Sequence, residues 1–164
     1  MSPLFHNRQE AGQRLAQVLA QRGETAPLIL ALARGGVPVA FEIAVALEAQ
    51  LDVIVVRKLG LPGHEELAIG AVVEGEPPQV VLNHDVIERA GVSPAQVEAA
   101  KREQIEALGR RRDLYRAGAA PAVTRGRNVV IVDDGIATGA TMKAALRAVR
   151  ASGPNRVALA VPVA

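Results

Sequence analysis

The sequence contains no cysteine and very few aromatic residues. Without thiols the chain can form neither disulfides nor thiolate-bound metal sites, and the redox compartment is not indicated. Aromatic residues make up only 2% of the chain, as Phe5, Phe41 and Tyr115, so stacking platforms for nucleic acid bases are scarce. Because apolar residues still account for 49% of the chain, the core must be aliphatic and rich in alanine.

Long apolar runs and a strong net charge are also missing. No run approaches membrane-spanning length and residues 1–6 do not form a signal peptide, which predicts a cytoplasmic protein with no membrane partner. The net charge of +2 is too small to indicate a nucleic acid partner. A chain of 164 residues can bury a sizeable core, so we predict a single domain over residues 1–164.

The most informative stretch is an apolar run followed by two acids and a loop of small residues. Residues 129–132 are β-branched and predict a buried strand, with Asp133 and Asp134 at its carboxyl end. A loop containing Gly135 and Gly139 then leads into a helix-forming segment. The start of a helix presents unpaired N–H groups and a partial positive charge, and glycine lets a ligand approach the backbone. The pattern predicts a site for a phosphate monoester.

The two adjacent acids indicate a second ligand group. Asp133 and Asp134 repel anions and resist joint ionisation unless sugar hydroxyls or a magnesium ion compensate their charge. Phosphate donors beside paired carboxylates therefore favour a phosphorylated sugar. A nucleoside triphosphate loop is not indicated, because the pattern Gly-x4-Gly-Lys-Ser/Thr is absent from the sequence. The alternative is an ordinary turn between a strand and a helix, with solvated acids.

The same stretch resembles the phosphoribosyl-pyrophosphate (PRPP) signature of the type I phosphoribosyltransferases: an apolar strand, two acids and a loop closing Thr-Gly-x-Thr. The resemblance implies that Asp133 and Asp134 hold the ribose 2′- and 3′-hydroxyls. It also implies a loop that wraps the 5′-phosphate, formed by Gly135, Ile136, Ala137, Thr138, Gly139, Ala140 and Thr141. Family members that act on 6-oxopurines have an acidic residue at the position of Ala137, so hypoxanthine and guanine are disfavoured as substrates.

A second glycine turn follows a predicted core strand over residues 27–33. Arg34, Gly35 and Gly36 stand between this strand and a predicted helix over 37–47. The two glycines would expose backbone N–H groups to an anion, and the guanidinium of Arg34 can bridge phosphate oxygens. The turn is similar to the short pyrophosphate loop of the family. Taken alone it is equally typical of an ordinary turn between strand and helix.

A further pair of cations follows the next predicted strand, over residues 52–56. Arg57 and Lys58 would stand at its carboxyl end, the edge where open parallel sheets bind ligands. We predict that both contact the pyrophosphate, with a solvated strand end as the alternative. Residues 69–73 and 79–82 then predict a β-hairpin.

Residues 85–117 predict two helices, the longer one capped by Ser93. A helix-turn-helix that reads nucleic acid is the alternative, but the longer helix mixes Glu with Arg, and i,i+4 ion pairing explains its charge without a partner. We interpret the segment as a helical insertion in the single domain, which packs on the core or forms a homodimer contact.

The predicted fold is an open, parallel, doubly wound α/β sheet with this helical insertion and no obvious C-terminal hood, since the sequence ends after a final strand. The resemblance implies Mg²⁺-assisted transfer of 5-phosphoribosyl from PRPP to a small nitrogenous base, with release of pyrophosphate, as in nucleotide salvage. Asp133, Asp134 and Arg34 are the predicted catalytic residues. The Mg²⁺ would be held mainly by substrate, with the two acids as further candidate ligands. The alternative is a PRPP-binding regulatory protein without turnover, and the sequence does not identify the base.

Overall fold

The computed structural model describes residues 5–61, 64–75, 77–136 and 139–163. Its helices and strands follow in the order α1 Arg8–Gln21, β1 Leu28–Leu32, α2 Gly36–Ala46, β2 Gln50–Ile54, β3 Val56–Leu61, β4 His64–Val73, β5 Gln79–Leu82, α3 His84–Arg89, α4 Pro94–Arg116, β6 Asn128–Val132, α5 Ala140–Ala151 and β7 Arg156–Ala160. They fall into two compact units. Unit 1 comprises the described residues within Met1–Ile54, Pro121–Ala137 and Val149–Ala164, and unit 2 those within Val55–Ala120 and Thr138–Ala148. The single-domain interpretation stays a prediction.

Unit 1 contains a four-stranded parallel sheet with the strand order β2-β1-β6-β7. In the two central strands, Leu30 of β1 pairs with Ile131 of β6, and every residue of β1 is buried. Strands that are covered on both faces require continuous apolar runs, because neither face meets water. The predicted parallel α/β sheet is therefore confirmed.

The order of the strands creates a switch point between β1 and β6. The chain leaves β1 through α2 to reach β2 on one side, and leaves β6 through α5 to reach β7 on the other. Because such crossovers are right-handed, connections that leave two neighbouring strands in opposite directions are the pattern of a doubly wound sheet. Ligands of open α/β sheets bind at the carboxyl ends of the strands beside the switch point.

The core on one face of the unit 1 sheet joins α1 and α2 to the strands. Ile29, Val130, Val39 and Ile43 are fully buried in this cluster, together with smaller residues. Gly12 brings the two helices close, since a Cβ at this position would lie 2.6 Å from the carbonyl oxygen of Val39. The core is aliphatic, as the composition predicts.

Unit 2 contains a three-stranded antiparallel sheet with the order β3-β4-β5. The pairing of β4 with β5 confirms the predicted hairpin. The prediction of one strand over residues 52–56 is wrong at its C-terminal boundary, because β2 ends at Ile54 and a new strand begins at Val56. The apolar run 53–56 has no break that marks this change. Arg57 and Lys58 consequently lie inside an antiparallel strand and not at the carboxyl end of a parallel one.

Both helices predicted within residues 85–117 are present, as α3 and α4. Ser93 caps α4 in a closed capping box with Gln96, and Pro94 begins the helix. The apolar side of α4 packs on β3 and β4 through Val97 and Leu108, among others. The interpretation of α3 and α4 as an insertion stays a prediction. Among the described residues, no helix is long and apolar enough to cross a membrane.

Candidate functional site

The switch point brings together two of the three segments that the sequence singles out. Ala31 of β1 pairs with Val132 of β6, so the residues that follow both strands meet at one edge of the sheet. The Arg34–Gly35–Gly36 turn follows β1, and Asp133 and Asp134 follow β6. The predicted pyrophosphate turn and the predicted ribose acids are therefore neighbours within unit 1.

The two glycines of the turn are needed because the acids lie directly against them. A Cβ on Gly35 would overlap the carboxylate of Asp134. A Cβ on Gly36 would overlap the carbonyl oxygen of Val132 and would lie 3.0 Å from the Cα of Asp133. Gly35 is the N-cap of α2 and has helical angles, with φ −60° and ψ −38°. Glycine here serves close approach and not an unusual backbone conformation.

The backbone fixes the paired acids in place. The N–H of Asp133 donates to the carbonyl oxygen of Ala160 at 3.3 Å, which ties the end of β6 to β7. The N–H of Asp134 donates to Oδ1 of Asp133 at 2.9 Å. Burial raises the pKa of Asp133 and the charge of Asp134 adds to the shift, while the hydrogen bond from the Asp134 N–H opposes it.

Sequence reasoning missed one residue of this site, Arg8. Its Nε and Nη2 donate to Oδ2 of Asp134 at 2.8 Å and 2.6 Å. Arg8 is the first residue of α1, where the helix dipole disfavours a positive charge. A cation placed against the dipole was the available signal, because it gains nothing locally and so indicates an acidic partner elsewhere.

The loop that follows the acids is described in part. The N–H of Ile136 donates to the carbonyl oxygen of Val163 at 3.1 Å, and Gly135 lies against the same residue. Gly139 has a φ of +73°, and its carbonyl oxygen accepts from the N–H of Lys143 at 2.8 Å in the first turn of α5. Ala137, Thr138 and the side chain of Ala140 lie outside the described residues. The phosphate role of residues 135–141 stays a prediction.

Arg57 and Lys58 are described in unit 2, on β3. Neighbouring residues of a strand point to opposite faces, so the two side chains do not share a direction. Arg57 points towards α4, where its Nε donates to Oε1 of Gln104 at 3.0 Å, while Lys58 is exposed. Burial lowers the pKa of Arg57, and the charge of Arg111 adds to this effect. Their pyrophosphate role stays a prediction.

The oxygen ligands that the site offers determine how a metal would be held. Mg²⁺ prefers oxygen ligands and is usually bound by one or two carboxylates together with substrate phosphates. Asp133 and Asp134 offer two adjacent carboxylates, and the described part of the chain has no cluster of three or more acidic or histidine ligands. The residues therefore fit a Mg²⁺ held largely by substrate and not an all-protein metal cage.

Comparison with protein families decides the relationship. The model of the phosphoribosyl transferase domain matches residues 5–164 of this chain. The chain belongs to this family. One relative is the Mycobacterium tuberculosis protein Rv0571c, which is itself named only provisionally as a phosphoribosyl transferase. It is 51% identical to this chain over 160 residues. The match covers 98% of this chain and 36% of that protein, so the chain spans about a third of the length of the curated relatives it matches.

Solved structures of phosphoribosyltransferases and related proteins have the same fold. The protein TT1426 from Thermus thermophilus superposes with a TM-score of 0.80 and 44% identity, over 96% of this chain and 74% of that one. The purine phosphoribosyltransferase from Pyrococcus horikoshii superposes with a TM-score of 0.53 over 94% of this chain and 70% of that one. At 18% identity, this second likeness concerns the fold alone.

Proposed function

We propose that this chain transfers 5-phosphoribosyl from PRPP to a nitrogenous base, with release of pyrophosphate and the assistance of Mg²⁺. One observation carries the proposal: Asp133 and Asp134 lie against the Gly35–Gly36 turn, at the switch point of a phosphoribosyl transferase fold. Acceptors for sugar hydroxyls and N–H donors for an anion thus meet within a few ångströms. Nucleotide salvage, a cytoplasmic location and a homodimer remain predictions that accompany this proposal.

Each group of residues has a defined part in the proposed reaction. Asp133 and Asp134 accept hydrogen bonds from the ribose hydroxyls and orient the ring. The loop over residues 135–141 holds the 5′-phosphate. Arg34 and the N–H groups of the glycine turn hold the pyrophosphate, and in support of this the Arg34 side chain is exposed beside the turn. The pyrophosphate role of Arg57 and Lys58 stays a prediction.

The reaction replaces the C1′–O bond to pyrophosphate by a C1′–N bond to the base. As the pyrophosphate leaves with the electron pair, positive charge develops on the sugar ring, and the nearby carboxylates stabilise it. Arg34 stabilises the negative charge of the leaving group. When bound, Mg²⁺ supplies further neutralisation of the pyrophosphate. Positioning and electrostatics therefore account for catalysis.

The test is a panel of acceptors. The protein is incubated with PRPP, Mg²⁺ and each common base in turn, and pyrophosphate release is measured. We expect release with one class of base, and not with hypoxanthine or guanine, because Ala137 lacks the acidic side chain. Asp134→Asn should lower the rate about 100-fold, since it removes a charge that acts on the developing sugar cation. Asp113→Asn, on the exposed side of α4, is the control and should not change the rate.

Two results would contradict the transferase. Pyrophosphate release from no base, together with tight PRPP binding, would favour the alternative of a PRPP-binding regulatory protein. Unchanged PRPP binding by Asp134→Asn would contradict the assignment of the acids themselves.

A further inference from the structure

We propose that Arg8 is a positioning residue for PRPP: it holds Asp134 in the orientation that binds ribose and offsets one of the two adjacent negative charges. The inference rests on the proposed function. Its observation is separate, because Arg8 lies 126 residues from Asp134 in the sequence and belongs to no motif of the family that the sequence displays.

The hydrogen bonds of Arg8 divide the Asp134 carboxylate into two halves. Nε and Nη2 both donate to Oδ2, at 2.8 Å and 2.6 Å. In the described part of the chain, no N–H group donates to Oδ1 of Asp134, which lies beside Gly35. A carboxylate oxygen that receives no N–H, beside one that Arg8 holds twice, is the acceptor that a ribose hydroxyl requires.

The start of α1 is built so that Arg8 reaches this oxygen. Oδ1 of Asn7 accepts from the N–H of Glu10 at 2.8 Å and fixes where the helix begins. The Glu10 carboxylate accepts from the N–H of His6 at 2.9 Å and from Arg14 at 3.2 Å, so its own hydrogen bonds go elsewhere than to Arg8.

The packing of α1 against α2 supports the same placement. A Cβ on Gly12 would lie 2.6 Å from the carbonyl oxygen of Val39 and 2.7 Å from Cβ of Glu42, so the helices touch one turn after Arg8. Gln13 also donates to Oε2 of Glu42 at 3.1 Å. Because α2 begins at the glycine turn, this contact ties Arg8 and the turn to one another.

Charge gives a second reason for Arg8. PRPP is a polyanion, and two ionised aspartates beside it would repel its phosphates. Arg8 compensates one of them, and its side chain is 60% exposed, so water screens the interaction and the guanidinium can follow Asp134 when substrate binds. We therefore expect a moderate effect that falls on substrate binding and not on the chemical step.

The experiment compares Arg8→Ala and Arg8→Lys with Arg14→Ala. Arg14 is the matched control, because it lies on the same helix, is 62% exposed and pairs with a different carboxylate, Glu10. Arg8→Ala should raise the Kd for PRPP with Mg²⁺ about tenfold and change kcat by less than about threefold, from the loss of charge-assisted hydrogen bonds. Arg8→Lys should recover part of the affinity, and Arg14→Ala should match the wild type.

A double-mutant cycle tests whether Arg8 acts through Asp134. In the Asp134→Asn background, Arg8→Ala should cause no further loss of PRPP affinity. An equal loss in both backgrounds, or the same loss in Arg14→Ala, would overturn the role of Arg8. Wild-type protein that fails to bind PRPP would contradict the proposed function. Tight binding by both wild type and Arg8→Ala would contradict the role of Arg8 alone.

Discussion

The carboxyl of Asp133 has a raised pKa because its charged form is partly desolvated and lies beside Asp134. In the unfolded chain the same carboxyl has its ordinary pKa, so the folded state retains the proton to a higher pH. The contribution of this proton to stability is present at low pH and is lost as pH rises through the raised pKa. A charge that costs folding free energy in this way is typical of functional sites, where groups are selected for their ligands.

This pKa leads to a prediction about Asp134→Asn. Because the like charge of Asp134 helps to raise the pKa of Asp133, its removal should lower that pKa. In the wild type, PRPP affinity should fall as pH drops through the raised pKa, since protonated Asp133 no longer acts as a charged acceptor. In the variant, the titration of Asp133 should begin at lower pH. Carboxyl ¹³C NMR of aspartate-labelled protein measures this directly.

The matched control for this titration is Asp113→Asn on α4, whose carboxylate pairs with Arg112. It should leave the Asp133 signal unchanged. An Asp133 pKa that stays in place or rises in Asp134→Asn would show that burial alone determines it.

Residues that follow parallel strands were predictable as neighbours, and a residue that helix packing brings to the site was not. Parallel strands end at a common edge, so Asp133 and Asp134 could be placed near the Arg34–Gly36 turn from two apolar runs alone. Arg8 could not be placed, because its contact depends on how α1 packs against α2. A sequence pattern predicts where a helix begins and ends, but it does not predict where that helix packs on a sheet.

At the scale of one element, the start of α2 contains two glycines with different neighbours. A Cβ on Gly35 would clash with the Asp134 carboxylate, which is the end of a side chain and can move. A Cβ on Gly36 would clash with the backbone of β6, which cannot move without disturbing the sheet. The two positions should therefore respond differently to the same substitution.

We expect Gly36→Ala to lower the free energy of unfolding by about 1–3 kcal/mol, as overpacking of a rigid core does. Gly35→Ala should unfold near the wild type but bind PRPP weakly, because Asp134 must turn away from the ribose. Denaturant unfolding and PRPP titration separate the two effects.

The control for these glycines is Gly109→Ala in the middle of α4, where a Cβ would meet no atom within 4 Å. It should stabilise the protein by about 0.5–1 kcal/mol, since alanine favours a helix more than glycine does. Equal losses of stability at positions 35 and 36 would contradict the distinction drawn between side chain and backbone.

Capping motifs illustrate what a pattern can predict about an element. Asn7 and Ser93 both cap helices as their positions indicate. The box closes only at Ser93, where Gln96 accepts from the cap N–H at 2.9 Å. At α1 the carboxylate of Glu10 instead accepts from His6. The same spacing therefore leads to different hydrogen bonds at the two helix starts.

At the scale of the whole molecule, the chain divides into two compact units, each with an apolar cluster. The parallel sheet of unit 1 was predictable because its strands are continuous apolar runs. The division was not, since the run 53–56 passes from β2 of one unit to β3 of the other without a polar residue. Val55, at the junction, is 1% exposed and looks like any core residue.

In unit 2, a buried ion pair joins the end of the long helix α4 to the end of β4. Nε of Arg116, the last residue of α4, donates to Oε1 of Glu74 after β4 at 2.5 Å, and the two side chains are 7% and 5% exposed. Oε2 of Glu74 also accepts from the N–H of Val55 at 3.2 Å. One carboxylate therefore joins the first residue of unit 2 to its sheet and its long helix.

Glu74→Gln should lower the free energy of unfolding by about 3 kcal/mol, because it removes the negative charge that pairs with the buried Arg116 guanidinium. The control is Glu106→Gln, which breaks the exposed pair with Arg110, 67% and 76% exposed, and should cost no more than about 0.5 kcal/mol. Hydrogen exchange followed along the whole chain should show protection lost first in β3, β4 and α4. Equal losses of unfolding free energy in the two variants would contradict the importance of this pair for unit 2. A loss of protection that begins in β1 and β6 would contradict it as well.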